Sequence, residues 1–285
     1  MRKTTAAQVS LLSPTPNRAP LSALASVTSK HGLTDLALRL SELRDWLSDE
    51  LQDLNEHLSA MASEPKPDIA WHAAHYLLGQ PGKRVRPICV VLAARMGGRD
   101  YDTVIRDVAM ACELVHSATL LHDDVLDQGT ERRGVETARV IYGNSASVLG
   151  GDHLLIEALR RVHKAEPTLV LPLIEVIDEM VGAEARQLEA RKDFAPSRDR
   201  YLDIVLGKTA SLFRWALTAG GQLGNLDANS CEILGSIGEN LGMTFQMVDD
   251  LLDLQLSGDD TGKNPLQDLN EGKLTWPLII ACERS

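Results

Sequence analysis

From Thr34 onward, apolar residues return every three to four positions, the period that places side chains on one face of an α-helix. LALRLSELRDWLSDELQDLNEHLSAMA shows it, as do the stretches Tyr101 to Leu121, Ala146 to His163 and Leu169 to Arg191. Alternating segments of strand type are scarce. Gly- or Pro-rich punctuation falls at Gly79 to Pro87, Gly129 to Gly134, Gly143, Pro167, Pro196, Gly220 to Gly224 and Ser257 to Gly272. The pattern predicts roughly ten helices joined by short turns, hence an all-α bundle. In such bundles, sites are built from side chains on facing helices.

Two of the helical runs carry the same acidic cluster: Asp123, Asp124 and Asp127 in ATLLHDDVLD, and Asp249, Asp250 and Asp253 in FQMVDDLLD. Positions i and i+4 share a helix face, so Asp123 with Asp127 and Asp249 with Asp253 form carboxylate pairs, and like charges at that spacing repel. A single such cluster is commonly a solvated acidic face. Here both are flanked by Leu, Val, Met and Phe, which places them toward a core where unpaired carboxylates are costly. A hard cation with oxygen ligands compensates them, and Mg²⁺ takes its remaining ligands from water and substrate phosphates. The clusters therefore point to a diphosphate site.

The 285 residues carry a net charge of −11 and a pI near 5.2, which argues against nucleic-acid or anionic-membrane binding through bulk electrostatics. No apolar run reaches the ~18 to 20 residues of a transmembrane helix. Cys89, Cys112, Cys231 and Cys282 show no CxxC spacing and lie in apolar contexts, the pattern of free buried thiols in a reducing compartment, here the cytoplasm. Residues 1–33 contain no acid and are rich in Ser, Thr, Ala and Pro. They faintly resemble an organellar transit peptide, but Pro14, Pro16 and Pro20 interrupt any amphipathic helix, and a disordered tail is expected.

Basic residues are placed where phosphate explains them. Lys83, Arg84 and Arg86 stand in the loop QPGKRVRP before an apolar helix, and Arg132 and Arg133 follow Asp127 in a Gly-bounded loop. Each group alone also fits an ordinary basic turn. Lys208 sits within the apolar segment LGKTASLF; a lone Lys there usually snorkels, yet without a neighbouring acid its charge is left for a substrate anion. Lys263 and Lys273 lie in a polar, Gly-rich loop after the second cluster, of a length frequently seen in lids. His116, two turns before Asp123 on the same face, fits either a core residue or a ligand contact.

The ordered series GKRVRP, HSATLLHDDVLD, ERRGVET, YGNSASVLGGDHLL, GAEARQ, GKTASLF, GMTFQMVDDLLD and DLNEGKLTWPLI resembles the trans-isoprenyl diphosphate synthase, or polyprenyl synthetase, family from about Gly79 to the C-terminus. The resemblance implies an all-α isoprenoid-synthase fold over residues 34–285, a single-domain bundle with a central active-site cavity, usually homodimeric. It also implies head-to-tail condensation of an allylic diphosphate with isopentenyl diphosphate. By motif match, Asp123, Asp127 and Asp249 bind three Mg²⁺ that bridge the allylic diphosphate, with Asp124, Asp250 and Asp253 in support. Lys83, Arg86, His116 and Arg133 match the isopentenyl diphosphate pocket. Arg132, Lys208 and Lys263 match the groups holding the allylic diphosphate, and Thr209 and Gln246 those near the forming cation. The family's pattern continues for further helices beyond WPLI, whereas this chain stops at Ser285, which implies a truncated or unusually short C-terminal end.

Chain length is read from the helix preceding Asp123. Thr119, Ala118, Val115 and Cys112 stand four, five, eight and eleven positions upstream, and none is aromatic. The family's short-chain members place Phe or Tyr four or five back, or insert two residues in the first acidic motif. This sequence resembles medium- and long-chain members, with hexaprenyl to decaprenyl products. Alternatives are a geranylgeranyl or farnesyl diphosphate synthase, or a non-catalytic subunit of a heteromeric synthase, although such a subunit is expected to lose acids from one cluster. A terpene cyclase has no use for the isopentenyl diphosphate pocket. A di-iron bundle needs a second Glu-x-x-His beside that of Glu113 and His116, and a P-loop needs glycines where Leu202 and Gln267 stand.

Overall fold

The computed structural model describes residues 34–63, 68–80, 82–132, 134–193, 195–255, 269 and 272–284. Its helices are α1 (Thr34–Trp46), α2 (Ser48–Ser63), α3 (Ile69–Leu78), α4 (Val85–Met96), α5 (Thr103–Leu126), α6 (Ala138–Tyr142), α7 (Asn144–Ala165), α8 (Val170–Asp193), α9 (Arg198–Val205), α10 (Ser211–Leu223), α11 (Ala228–Gln255) and α12 (Trp276–Arg284). The all-α expectation is met. Two compact units are present: residues 49–80 with 84–285, and a smaller one that includes α1 and Lys83. Nothing on α1 is buried.

Within the larger unit, α5 is the central helix. Its start is fixed by Asp102, whose side chain accepts from the Ile105 N–H at 2.9 Å and is held in turn by Arg99. Ile105, Val108, Met110, Leu114, Val115 and Leu121 along it are fully buried. Each large apolar side chain so enclosed contributes ~1.5 to 3 kcal/mol. Helix α7 packs along α5, while α10 lies between α4 and α11. Phe213 on α10 is wholly enclosed.

Two local features depart from a plain helical bundle. The Gly-bounded loop after α5 forms a two-stranded antiparallel hairpin, Glu131–Arg132 with Val135–Glu136, turned by Gly134 at φ +79°. The chain between α9 and α10, Leu206–Ala210, winds as a π-helix. Of the four free cysteines, Cys89, Cys112 and Cys231 are buried as expected, but Cys282 is exposed, because α12 buries only Ile279. Among the described residues no helix is long and apolar enough to cross a membrane. The expected tail, residues 1–33, lies outside the described residues.

Candidate active site

Helix α5 ends within the first acidic cluster. Asp127 caps it, donating its N–H to the Asp123 carbonyl at 2.8 Å, and Gln128 turns the chain away at φ +54°. Both carboxylates thus stand at the carbonyl end of a long helix, where the helix dipole adds negative potential and favours cations. The surrounding cations come from three distant segments. Arg191 Nη2 on α8 lies 2.5 Å from Asp127 Oδ1, and Lys273 Nζ lies 2.7 Å from Asp127 Oδ2. Lys208 Nζ is 3.4 Å from Asp123 Oδ2, pairs with Glu184, and donates to Gln187 Oε1 at 2.9 Å, so the expectation that it has no neighbouring acid is corrected: the acids come from other helices, not from its own segment.

Charge in this cluster is balanced: Asp123, Asp127 and Glu184 face Lys208, Arg191 and Lys273. Burial pushes the Asp123 carboxyl up, with Lys208 opposing. At Asp127, burial acts in the same direction but is outweighed by Lys273 and then Arg191, which hold the carboxyl below its ordinary range. The third acid, Asp124, faces the other way. It is buried and receives two N–H groups of Arg132, Nη2 at 2.8 Å and Nε at 3.1 Å. Asp124 therefore anchors the hairpin; burial still raises its carboxyl, against the pull of Arg132.

Lys208 owes its position to the π-helical turn, a one-residue excess that re-aims a side chain and recurs at functional sites. Glycine permits the turn. A Cβ at Gly207 would lie 2.8 Å from the Ala183 Cβ on α8, and one at Gly242 on α11 would lie 2.5 Å from the Ala210 Cα, inside any tolerable contact. The π segment is thereby pressed between α8 and α11.

From it a hydrogen-bond chain runs to the second acidic cluster. Thr209 Oγ1 donates to Gln246 Oε1 at 3.1 Å, and Gln246 Nε2 donates to Asp250 Oδ1 at 2.9 Å. Asp250 Oδ2 accepts from the Tyr201 hydroxyl at 2.6 Å and from the Trp276 N–H at 3.2 Å. Asp250 is buried, and burial raises its carboxyl against these donors. Asp249, by contrast, is exposed and Asp253 half-buried on α11. Each cluster thus contains one acid that is fully buried among its partners, Asp124 or Asp250, beside more accessible members.

The remaining expected residues are less uniformly placed. Arg86, in the first turn of α4, lies with its guanidinium carbon 4.6 Å from the centre of the Phe213 ring; burial lowers its pKa. Arg84 beside it is taken by structure: it adopts φ +47°, pairs with the buried Glu113 and donates to Asn55 Oδ1 at 3.3 Å. Lys83 is exposed and belongs to the smaller unit. His116 is half-buried, its carbonyl accepting from Thr119 Oγ1 at 2.8 Å. Cys112, Val115 and Ala118 are completely enclosed, and Thr119 is half-buried. Arg133 and Lys263 lie outside the described residues.

Among the described residues, no three His, Cys, Asp or Glu side chains converge into a ready-made metal cage. Magnesium is commonly held through one or two carboxylates and completed by water and phosphate oxygens. The donor set is all oxygen, and Glu184 Oε1 is buried with no hydrogen-bond partner among the described residues, an acceptor placed for a coordinated water. Sequence reasoning assigned no role to Glu184, Gln187, Arg191 and Tyr201. The first three stand at i, i+3 and i+7 of α8, a polar stripe that the spacing itself contained.

The polyprenyl synthetase family model matches residues 68–285, and the chain belongs to that family. Octaprenyl diphosphate synthase of Escherichia coli is 38% identical over 208 residues, covering 73% of this chain and 64% of that protein. Nonaprenyl diphosphate synthase of Mycobacterium tuberculosis is 33% identical over 210 residues, 74% of this chain and 63% of its own length. The chain therefore spans somewhat less than two thirds of these relatives. A crystal structure of polyprenyl synthase from Caulobacter crescentus, complexed with calcium and isoprenyl diphosphate, matches with a TM-score of 0.79 at 35% identity, covering 86% of this chain and 74% of that one. Decaprenyl diphosphate synthase of Rhodobacter capsulatus matches at 0.78 and 32%, covering 86% and 75%.

Proposed function

We propose that this chain is a magnesium-dependent prenyltransferase joining isopentenyl diphosphate head-to-tail to an allylic diphosphate, with all-trans products of hexaprenyl to decaprenyl length. The observation that carries the reading is the balanced cluster at the end of α5, where Lys208 and Lys273 converge with Arg191 on Asp123, Asp127 and Glu184. Ionising an allylic C–O bond places negative charge on the leaving diphosphate, and fixed cations in a partly desolvated site stabilise it as it develops. Magnesium, three ions when the diphosphate is bound, would supply Lewis-acid stabilisation of the departing diphosphate.

Asp123, Asp127 and Asp249 are the proposed magnesium-holding residues. Lys208, Arg132 and Lys263 hold the allylic diphosphate, Thr209 and Gln246 face the forming cation, and Lys83, Arg86, His116 and Arg133 hold isopentenyl diphosphate. A fixed Thr209–Gln246 pair keeps polar oxygens near developing positive charge, and the released diphosphate accepts the final proton. The protein works in the cytoplasm as a homodimer; the exposed apolar residues Val148, Leu149 and Ile156 on α7 support the pairing of two copies. Residues 34–285 act as the synthase domain. Incubation with labelled isopentenyl diphosphate, Mg²⁺ and geranyl, farnesyl or geranylgeranyl diphosphate, followed by product sizing, tests the reading. Elongated products of six to ten units are expected, and absence of condensation with every primer overturns it.

A further inference from the structure

We infer that Arg191 is a further diphosphate-binding residue, one that exchanges Asp127 for an oxygen of the allylic diphosphate. The inference rests on the proposed site but concerns a residue that no motif assigned to it. Arg191 stands two turns after Glu184 on α8, so the same face that supports Lys208 delivers the guanidinium to the acidic end of α5. One arm meets Asp127 Oδ1 at 2.5 Å. Its Nε–H is buried and has no hydrogen-bond partner among the described residues, so the fork carries a donor that Asp127 does not use.

The stem is held as well. Gly272, at φ +76°, would bring a Cβ within 3.8 Å of the Arg191 Cβ, so the chain segment that delivers Lys273 closes directly over it. Arg191 and Lys273 then occupy both oxygens of one carboxylate. Asp127 thus shares its one charge between two cations, while Lys208 is taken by Asp123 and Glu184, so an arriving anion of higher charge can draw Arg191 away without leaving Asp127 unpaired. A diphosphate arriving with divalent cations gives Asp127 other partners and gives Arg191 several oxygens in a geometry its planar fork matches. Lys273 alone offers only a point charge.

Calorimetry of inorganic pyrophosphate binding to the full chain at saturating Mg²⁺ tests this, comparing wild type with Arg191→Gln and Arg191→Lys. Loss of a charge-assisted contact predicts affinity weaker by about tenfold or more in Arg191→Gln. Partial recovery is expected in Arg191→Lys, which keeps the charge but not the fork. Mg²⁺ affinity measured without pyrophosphate should be unchanged or tighter in Arg191→Gln, since a competitor for Asp127 is gone. Pyrophosphate affinity within twofold of wild type in a folded Arg191→Gln overturns the inference and leaves the proposed activity standing. If Arg191→Gln melts early, Arg191→Lys decides: wild-type affinity and an unchanged binding enthalpy then overturn it. Failure of the wild type itself to bind Mg²⁺ and pyrophosphate overturns the reading of the site, and this inference with it.

Discussion

Lys208 Nζ lies 3.4 Å from Asp123 Oδ2 while pairing with Glu184 and donating to Gln187, so one ammonium ties α8 to the acidic end of α5. Its ammonium donates to Glu184 and Gln187 and lies within ion-pair distance of Asp123, and the residue stands within the π turn. On the proposed reading, such a group acts on charge that develops during reaction rather than on initial capture. Lys208→Ala is expected to lower kcat by about a hundredfold or more, whereas Lys83→Ala and Arg86→Ala should raise the KM for isopentenyl diphosphate with a smaller change in kcat. Steady-state kinetics with each substrate varied in turn checks this; the same defect in all three variants refutes two separate pockets.

Asp123→Ala and Asp249→Ala should each lower kcat by several orders of magnitude, because metal-based stabilisation of the leaving group is worth several kcal/mol. Asp249 is exposed, so thermal melting should change little in Asp249→Ala, whereas Asp123→Ala removes a mostly buried partner of Lys208 and is checked for folding by its melting curve. Near-normal turnover by either variant, or by wild type after EDTA treatment, contradicts the metal assignment.

The helical bundle and the two acidic clusters were legible in the sequence because both are local: period and i, i+4 spacing survive without tertiary information. The partition within each cluster was not. Nothing in HDDVLD says that Asp124 turns to Arg132 while Asp127 meets Arg191 and Lys273, since these partners come from the hairpin, α8 and the segment before α12. Likewise LGKTASLF reads as an ordinary helix. The π turn depends on the glycine-permitted approaches of α8 and α11, which are long-range packing events.

The pH response of Asp127 follows from its two cations. Its carboxyl lies below the ordinary range because Lys273 and Arg191 overcome the cost of burial. A depressed native value means that folding favours the ionised form, so the contribution is full above the unfolded value near 3.9 and lost as pH falls through the native one. The stability difference between wild type and Asp127→Asn, read from urea midpoints, should be constant near neutrality and shrink below about pH 4. A difference that grows on acidification contradicts the pairing.

Gly242→Ala tests the support of Lys208 from the opposite side. A methyl there would stand 2.5 Å from the Ala210 backbone, so α11 and the π segment must separate, at a cost of about 1 to 3 kcal/mol. A lower melting temperature with a disproportionate loss of kcat is expected, since Lys208 and Thr209 shift together. Wild-type stability and turnover contradict the close approach.

If the proposed synthase reading holds, the α5 wall preceding Asp123 should govern product length. From Cys112 to Asp123, eleven positions at 1.5 Å per residue give a path of ~16 Å with no aromatic side chain across it at Val115, Ala118 or Thr119. Yet Cys112, Val115 and Ala118 are completely enclosed, and only Thr119 of the four is partly open. A growing tail must therefore enter at Thr119 and part the packing beyond it. Thr119→Phe places a ring at that entrance without overfilling the core, whereas Ala118→Phe adds bulk to an enclosed position and is expected to cost about 1 to 3 kcal/mol of stability. Both should shorten the main product toward farnesyl or geranylgeranyl length and leave the first condensation intact. Sizing the products of each variant, with melting curves to set aside unfolding, decides the matter: an unchanged distribution in a folded Thr119→Phe means that another helix sets the floor.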